Sequence, residues 1–261
     1  MGIIFEAKTV QTANVKSLFE VLKDVLIELN LVITKDSIKI VSLSNREECL
    51  IHVKLDSSSF EYFHCDRTDE NPLVLGIHTD NLFKIIKTIK HDETISFFVT
   101  DKDSERHSLF IKKENSERNS INTFKLQLHN IPRNNYIIEQ RYNTTIVMSS
   151  NELQKICKDF SSLGNKVLEI KNIGEQIFFS GNGDFSSFEL VVGNSQNTSF
   201  QNTVDKIVQG KFPTKYLLLF SKASILSTMV QMRLMNDFPL LMSYDVGNLG
   251  KMSFLVSCLT D

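Results

Sequence analysis

L-Q-L-H-N-I-P-R-N-N-Y-I-I-E-Q-R-Y, Leu126 to Tyr142, sits near the middle of a chain of 261 residues. No helical or strand period survives in it for more than a few positions. Pro132 and the pair Asn134-Asn135 favour turns and extended chain over helix. On either side the same order of elements is written twice. The stretch therefore reads as a connector, with one domain over 1–125, the connector over 126–143 and a second, similar domain over 144–261.

Length and composition agree with two domains of about 100 to 150 residues each. The apolar fraction is 41% and the charged fraction 23%, as in globular proteins generally. No apolar run approaches the roughly 18 residues of a membrane span, and the N-terminus becomes charged too early for a signal peptide. Cys49, Cys65, Cys157 and Cys258 are scattered without C-x-x-C spacing, which predicts reduced, mostly buried thiols. The formal charge is -2, so attraction to nucleic acid has to come from where charge is placed.

Outward from the connector, four units recur, each a strand, a helix and further strands. Phe5–Val10 alternates as a strand. Leu18, Leu22, Val25, Leu26 and Leu29 recur at spacings of three and four, which predicts a helix over Thr12–Leu29. Strands over Leu31–Thr34, Ser37–Ser42, Cys49–Leu55 and Phe60–His64 follow. The second unit has a strand at Pro72–His78, a helix over Asn81–Lys90 capped by Asp80, and strands at Thr94–Thr100 and Ser108–Lys113, with Glu114–Asn122 read as an exposed turn. The third has Thr144–Met148, a helix from Ser149 or Ser150 to about Phe160, and strands at Val167–Ile170, Gln176–Ser180 and Phe185–Val192, before a polar loop over Asn194–Gln201. The fourth has a helix at Thr214–Ser221 and strands at Met229–Met235, Leu240–Asp245 and Met252–Cys258. The fold class expected is α+β: two similar domains of two units each, with helices on one face of antiparallel sheets.

Charge placement is the functional clue. In the second helix Leu82, Ile85, Ile86 and Ile89 form the apolar stripe, and Lys84, Lys87 and Lys90 fall opposite. In the third, Leu153, Ile156, Cys157 and Phe160 face one way, Lys155 and Lys158 the other. Lys16 and Lys23 share a stripe on the first helix, and Lys215 and Lys222 have the same spacing in or beside the fourth. Any one such pair is ordinary for a surface helix. Four helices doing it in a nearly neutral chain is what a surface for duplex phosphates requires, one that binds DNA without reading sequence. Acids are read as concentrated elsewhere, in Asp66–Glu70 and Asp101–Glu105.

Catalytic signatures are missing. There is no H-E-x-x-H, Walker A or G-x-S-x-G. Gly181–Asp184 (G-N-G-D) reads as a hairpin turn, Asp101-Lys102-Asp103 as a solvated turn rather than a metal pair, and the six histidines have no ligand spacing. The expectation is no catalytic residue, metal or cofactor.

Several segments in order resemble the eukaryotic sliding clamp family, proliferating cell nuclear antigen. They are F-E-A-K-x-V-Q at Phe5–Gln11, L-K-D-V-L-I at Leu22–Ile27, Y-F-H-C-D-R at Tyr62–Arg67, K-I-I-K at Lys84–Lys87, K-I-C-K-D-F-S-S-L-G at Lys155–Gly164 and F-P-L-L-M-S-Y at Phe238–Tyr244. The connector's Ile137, Glu139, Gln140 and Tyr142 join them. The resemblance implies a homotrimeric ring with helices lining a hole for duplex DNA. Polymerase, clamp loader and other replication and repair proteins would be held on one face, in the nucleus or at a viral replication site. It matches the family's basic hole positions to Lys16, Lys23, Lys84, Lys87, Lys155, Lys158, Lys215 and Lys222. It implies a groove for partner peptides at Leu43, Ile137, Tyr142, Pro239 and the tail Leu255, Val256, Ser257 and Cys258. It also implies subunit contacts through edge strands near Leu109 and Ile111 and near Phe188 and Leu190. The sequence departs from the family at Ser257-Cys258, where alanine–proline is usual. It departs again in the connector, where Arg133 and Arg141 face a single Glu139 in place of an acidic stretch. Left open are a mixed checkpoint-type ring, a viral processivity factor working as monomer or dimer, and a peptide-docking scaffold that never encircles DNA.

Overall fold

The computed structural model describes residues 2–44, 49–90, 92–101, 108–115, 117–133, 136, 141–183, 185–196, 198–203 and 207–259. In the first half the elements run β1 (Ile3–Thr9), α1 (Thr12–Val25), β2 (Glu28–Ile33), β3 (Ser37–Leu43), β4 (Cys49–Asp56) and β5 (Tyr62–Cys65), then β6 (Leu73–His78), α2 (Thr79–Ile86), β7 (Thr94–Thr100), β8 (Ser108–Asn115) and β9 (Ser120–Gln127). The second half repeats the order with β10 (Thr144–Ser149), α3 (Ser150–Ser162), β11 (Val167–Ile173), β12 (Gln176–Asn182), β13 (Ser187–Gly193) and β14 (Thr198–Asn202), then β15 (Val208–Pro213), α4 (Thr214–Ser221), β16 (Met229–Leu234), β17 (Leu240–Val246) and β18 (Gly250–Val256). The chain folds as two compact units. Met1–Asn45, His52–Tyr136 and Asp245–Met252 make the first; Arg46–Ile51, Ile137–Tyr244 and Ser253–Asp261 make the second.

The duplication is visible in the strand orders. One half contains the runs β5-β1-β7-β8-β9 and β4-β3-β2-β6. Adding nine to each number gives β14-β10-β16-β17-β18 and β13-β12-β11-β15, which are the runs of the other half. Among the described strands, β9 and β13 each lie at the edge of a sheet.

Each unit is held by a helix pair whose apolar stripe is buried. Val15, Leu18, Leu22 and Val25 of α1 and Leu82 and Ile86 of α2 are buried, and the two helices pack on one another. In the other unit α3 buries Leu153, Ile156, Cys157 and Phe160, and α4 buries Tyr216, Leu217 and Phe220. Phe220 stacks on Phe254 with ring centroids 4.2 Å apart. Each fully buried side chain of this size contributes about 1.5–3 kcal/mol through removal of apolar area from water.

Four sequence expectations change. First, α1 stops at Val25, because Leu26 turns extended (φ -132°, ψ 137°). Leu29 then belongs to β2, which pairs with β6. Leu26 still donates to Leu22 of the helix, the Ile27 carbonyl accepts from the Thr79 amide at 3.0 Å, and strand pairing with β6 begins at Glu28. Second, α2 begins at Thr79 and ends at Ile86, with no side-chain cap. Asp80 lies inside the first turn, where a carboxylate still favours the helix dipole. Thr88 and Ile89 donate to Ile85 and Ile86 three residues back, so the chain tightens past the helix and Lys90 lies beyond it. Third, Glu114–Asn122 is mostly strand: β8 and β9 pair from Ser108↔Gln127 to Asn115↔Ser120. Leu126 and Gln127 therefore close β9 before the connector begins. Fourth, the loop expected at Asn194–Gln201 holds part of β14, paired with β10.

Candidate nucleic-acid interface and peptide groove

The basic residues all lie on or just past helices, and their surroundings differ. Lys84, Lys87, Lys90, Lys155, Lys158, Lys215 and Lys222 are exposed, whereas Lys16 and Lys23 are half-buried. Lys16, Lys87 and Lys90 line one shallow depression of about 480 Å³ together with Thr12, Ala13, Thr88 and Ile89. The early end of α2 is what brings Lys87 and Lys90 to the start of α1. Thr12 Oγ1 donates to the Lys90 carbonyl at 3.3 Å, which fixes that approach.

Lys23 is already engaged. Its Nζ is 2.8 Å from Asp24 Oδ1 and 5.1 Å from the centroid of Phe83. The hydrogen bond to Asp24 raises its pKa against the opposing effect of partial burial. In the other unit Lys158 donates to Gln154 Oε1 at 3.2 Å, and Lys215 sits 4.5 Å from the Tyr216 ring centroid. Such contacts hold the aliphatic stems along the helix while the heads stay wet.

Sequence reading understated the acids. Glu20 and Asp24 on α1, Asp80 on α2, and Glu152 and Asp159 on α3 are all exposed. The helix surfaces are therefore positive by a modest surplus. A modest surplus suits reversible contact with phosphates, since each phosphate neutralised adds to a salt-dependent affinity.

The residues assigned to the peptide groove fall as follows. Leu43, at the end of β3, is half-buried in the first unit. Ile137 lies outside the described residues. In the second unit Tyr142 is half-buried and meets Phe238 edge-on, with centroids 5.5 Å apart, beside half-buried Pro239. Burial pushes the Tyr142 phenol up to about 12. In the tail Leu255 and Cys258 are half-buried and Ser257 is exposed. Val256 is fully buried, so it is core and not a surface for a partner. The Leu259 amide donates to the Lys211 carbonyl at 2.8 Å and ties the tail to β15. The Phe238 contact was hidden because its partner lies about a hundred positions away in sequence.

The expected subunit-contact strands need one correction. Leu109 and Ile111 are on β8, which is paired on both sides, by β7 and β9, and their side chains are fully buried. The edge of that sheet beyond β8 is β9. Phe188 and Leu190, by contrast, are half-buried on β13, which pairs with β12 alone among the described strands.

Among the described residues no group of three or more His, Cys, Asp or Glu is gathered as for a metal ion. Lys102 and Asp103 lie outside the described residues. Cys49, Cys65 and Cys157 are buried and Cys258 half-buried, all as free thiols. Burial raises the Cys157 thiol to about 12, far from the range of a nucleophile.

Comparison with known proteins gives consistent results. The profile "Proliferating cell nuclear antigen, N-terminal domain" matches residues 4–135, and "Proliferating cell nuclear antigen, C-terminal domain" matches residues 136–259. The chain is 31% identical to "Probable DNA polymerase sliding clamp 1" of Paramecium bursaria Chlorella virus 1, over 98% of this chain and 97% of that protein. It is 27% identical to the proliferating cell nuclear antigen of Dictyostelium discoideum, over 97% and 98%. The crystal structure of the Entamoeba histolytica protein of that name superposes with a TM-score of 0.89 at 23% identity, covering 99% of this chain and all of that one, which speaks to fold.

Proposed function

The chain belongs to the proliferating cell nuclear antigen family, and on that premise we propose that it is a DNA polymerase processivity factor. It encircles duplex DNA as a homotrimeric ring and performs no chemistry of its own. Topological linkage keeps polymerase at the primer end, and weak phosphate contacts from the helix lysines allow sliding. Polymerase, clamp loader and repair proteins dock by peptides with an apolar plug. The place of action is the nucleus or a viral replication site.

The observation that carries ring assembly is a pair of open strand edges: among the described strands, β9 ends one sheet and β13 ends another. Pairing β9 of one subunit with β13 of the next satisfies both edges. The side chains suit it: Ile121 on β9 is 64% exposed and Val191 on β13 is 43% exposed. Large apolar side chains at a strand edge are otherwise an aggregation hazard.

Polymerase stimulation on primed circular DNA, followed by linearisation of the template, tests this reading. The expected result is stimulation on the closed circle and loss of bound clamp once a free end is cut. Retention after linearisation would show attachment without encirclement.

A further inference from the structure

The connector does not cross the first unit as a loose strap. It is tied to β6 and β2 at one point, and two facing residues make the tie. Asn30 of β2 and Gly76 of β6 are direct cross-strand partners. The His129 amide donates to the Gly76 carbonyl at 2.9 Å, and the two residues form an antiparallel bridge. A Cβ at Gly76 would overlap the His129 carbonyl oxygen and stand 3.1 Å from Ile131 Cγ1. Glycine here is thus a requirement of close approach, not of backbone angle.

Asn30 completes the contact. Its Nδ2 donates to the Ile131 carbonyl at 3.2 Å and to the Pro132 carbonyl at 3.3 Å. Ile131 precedes a proline, which biases it to extended backbone. A side-chain amide carries two donors, so one residue can hold two successive carbonyls. The missing Cβ at Gly76 leaves the place that the His129 carbonyl and the Ile131 side chain occupy.

We propose that Asn30 and Gly76 are positioning residues for partner docking: together they latch the first half of the connector, and so set peptide affinity without touching the peptide. This rests on the groove reading above. The latch acts by preorganisation, since a rim already held in place does not have to be ordered when a peptide arrives.

The test uses the full chain and the variants Gly76→Ala and Asn30→Asp. The second keeps the size of the side chain but replaces the donating amide with a carboxylate that faces two carbonyls. Hydrogen exchange at the His129 amide and anisotropy of a fluorescein-labelled synthetic peptide carrying an apolar plug are read in parallel. In both variants exchange is expected to speed up about tenfold, and the peptide to bind about fivefold more weakly, as for loss of one net hydrogen bond. Solution mass and DNA retention should stay unchanged. Unchanged exchange at His129 overturns the latch. Faster exchange with unchanged peptide affinity overturns its role in docking. If the parent protein fails to bind the peptide at all, the groove reading falls with that role, and the exchange measurement still decides the latch.

Discussion

Lys23 Nζ and Asp24 Oδ1, neighbours in sequence on α1, lie 2.8 Å apart, so one of the helix lysines is partly neutralised by its own chain. If Lys23 meets phosphate as proposed, that pairing tempers the grip on DNA. Asp24→Asn should free Lys23 for one more phosphate. The slope of log affinity against log salt should then steepen by about 0.9 for each subunit whose Lys23 meets duplex DNA, with tighter binding at low salt. Duplex binding measured by anisotropy across a salt series checks this. An unchanged slope would place Lys23 away from phosphates.

Charge reversal at Lys84, Lys87, Lys155 and Lys158 asks more of the same surface. All four side chains are exposed, so folding should survive within a few tenths of a kcal/mol each. Loading on DNA and polymerase stimulation should fall steeply, and the salt slope should flatten by about 3.6 per subunit in which each residue meets one phosphate. Thermal melting checks the fold and a primed-template assay the function. Undiminished stimulation by a folded fourfold variant would reject the phosphate-contact mechanism.

The lysines were legible in the sequence because the helices are amphipathic. Leu82 and Ile86 mark the buried face of α2, so Lys84 had to point away. The edge strands β9 and β14 were less legible, for a physical reason. β9, S-I-N-T-F-K-L-Q, buries only Leu126 among its residues, and β14 buries only Thr198. An edge strand with wet faces shows no apolar alternation and reads as loop. The expectation therefore moved the edge inward to β8, whose buried Leu109 and Ile111 gave a clear strand signal. The close approach of the connector to Gly76 left no pattern either, since it is set by a contact between residues over fifty positions apart.

That edge supplies the third expectation. Ile121→Glu on β9 should leave the subunit folded, because the side chain is 64% exposed, while a buried charge in a β9–β13 joint costs assembly dearly. Light scattering of the parent should give about three times the 29.8 kDa chain mass, and the variant should give the single mass. A parent of single or double mass would end the homotrimer reading.

Alkaline stability follows from buried acids that stay protonated. Burial raises Cys157 from 9.0 to about 12 and Tyr142 from 10.0 to about 12, and it raises Tyr244 further in the same direction. Above pH 9 the unfolded chain loses protons that the native state keeps, so stability falls as pH rises. Each such group contributes a slope of up to about 1.4 kcal/mol per pH unit between its two values. Cys157→Ala should flatten the decline beginning near pH 9, at the cost of a small cavity. Denaturant midpoints from pH 7 to 11 would show it, and parallel declines for parent and variant would count against a native-state shift at Cys157.

The connector carries the last expectation. Arg133 and Arg141 are exposed, and in sequence they outnumber the single Glu139. A partner peptide flanked by basic residues meets repulsion at this rim, and one flanked by acidic residues meets attraction. Because the side chains are exposed, the effect is screened by salt and acts more on encounter than on the seated complex. Peptides identical in their apolar plug but differing in flanking charge should therefore rank acidic above basic at low ionic strength. Arg133→Glu combined with Arg141→Glu should reverse the order. Titration calorimetry of both peptides against parent and double variant separates the contributions, since the plug is held constant. Equal affinities of the parent for both peptides at low salt would mean that the rim charge plays no part in partner choice.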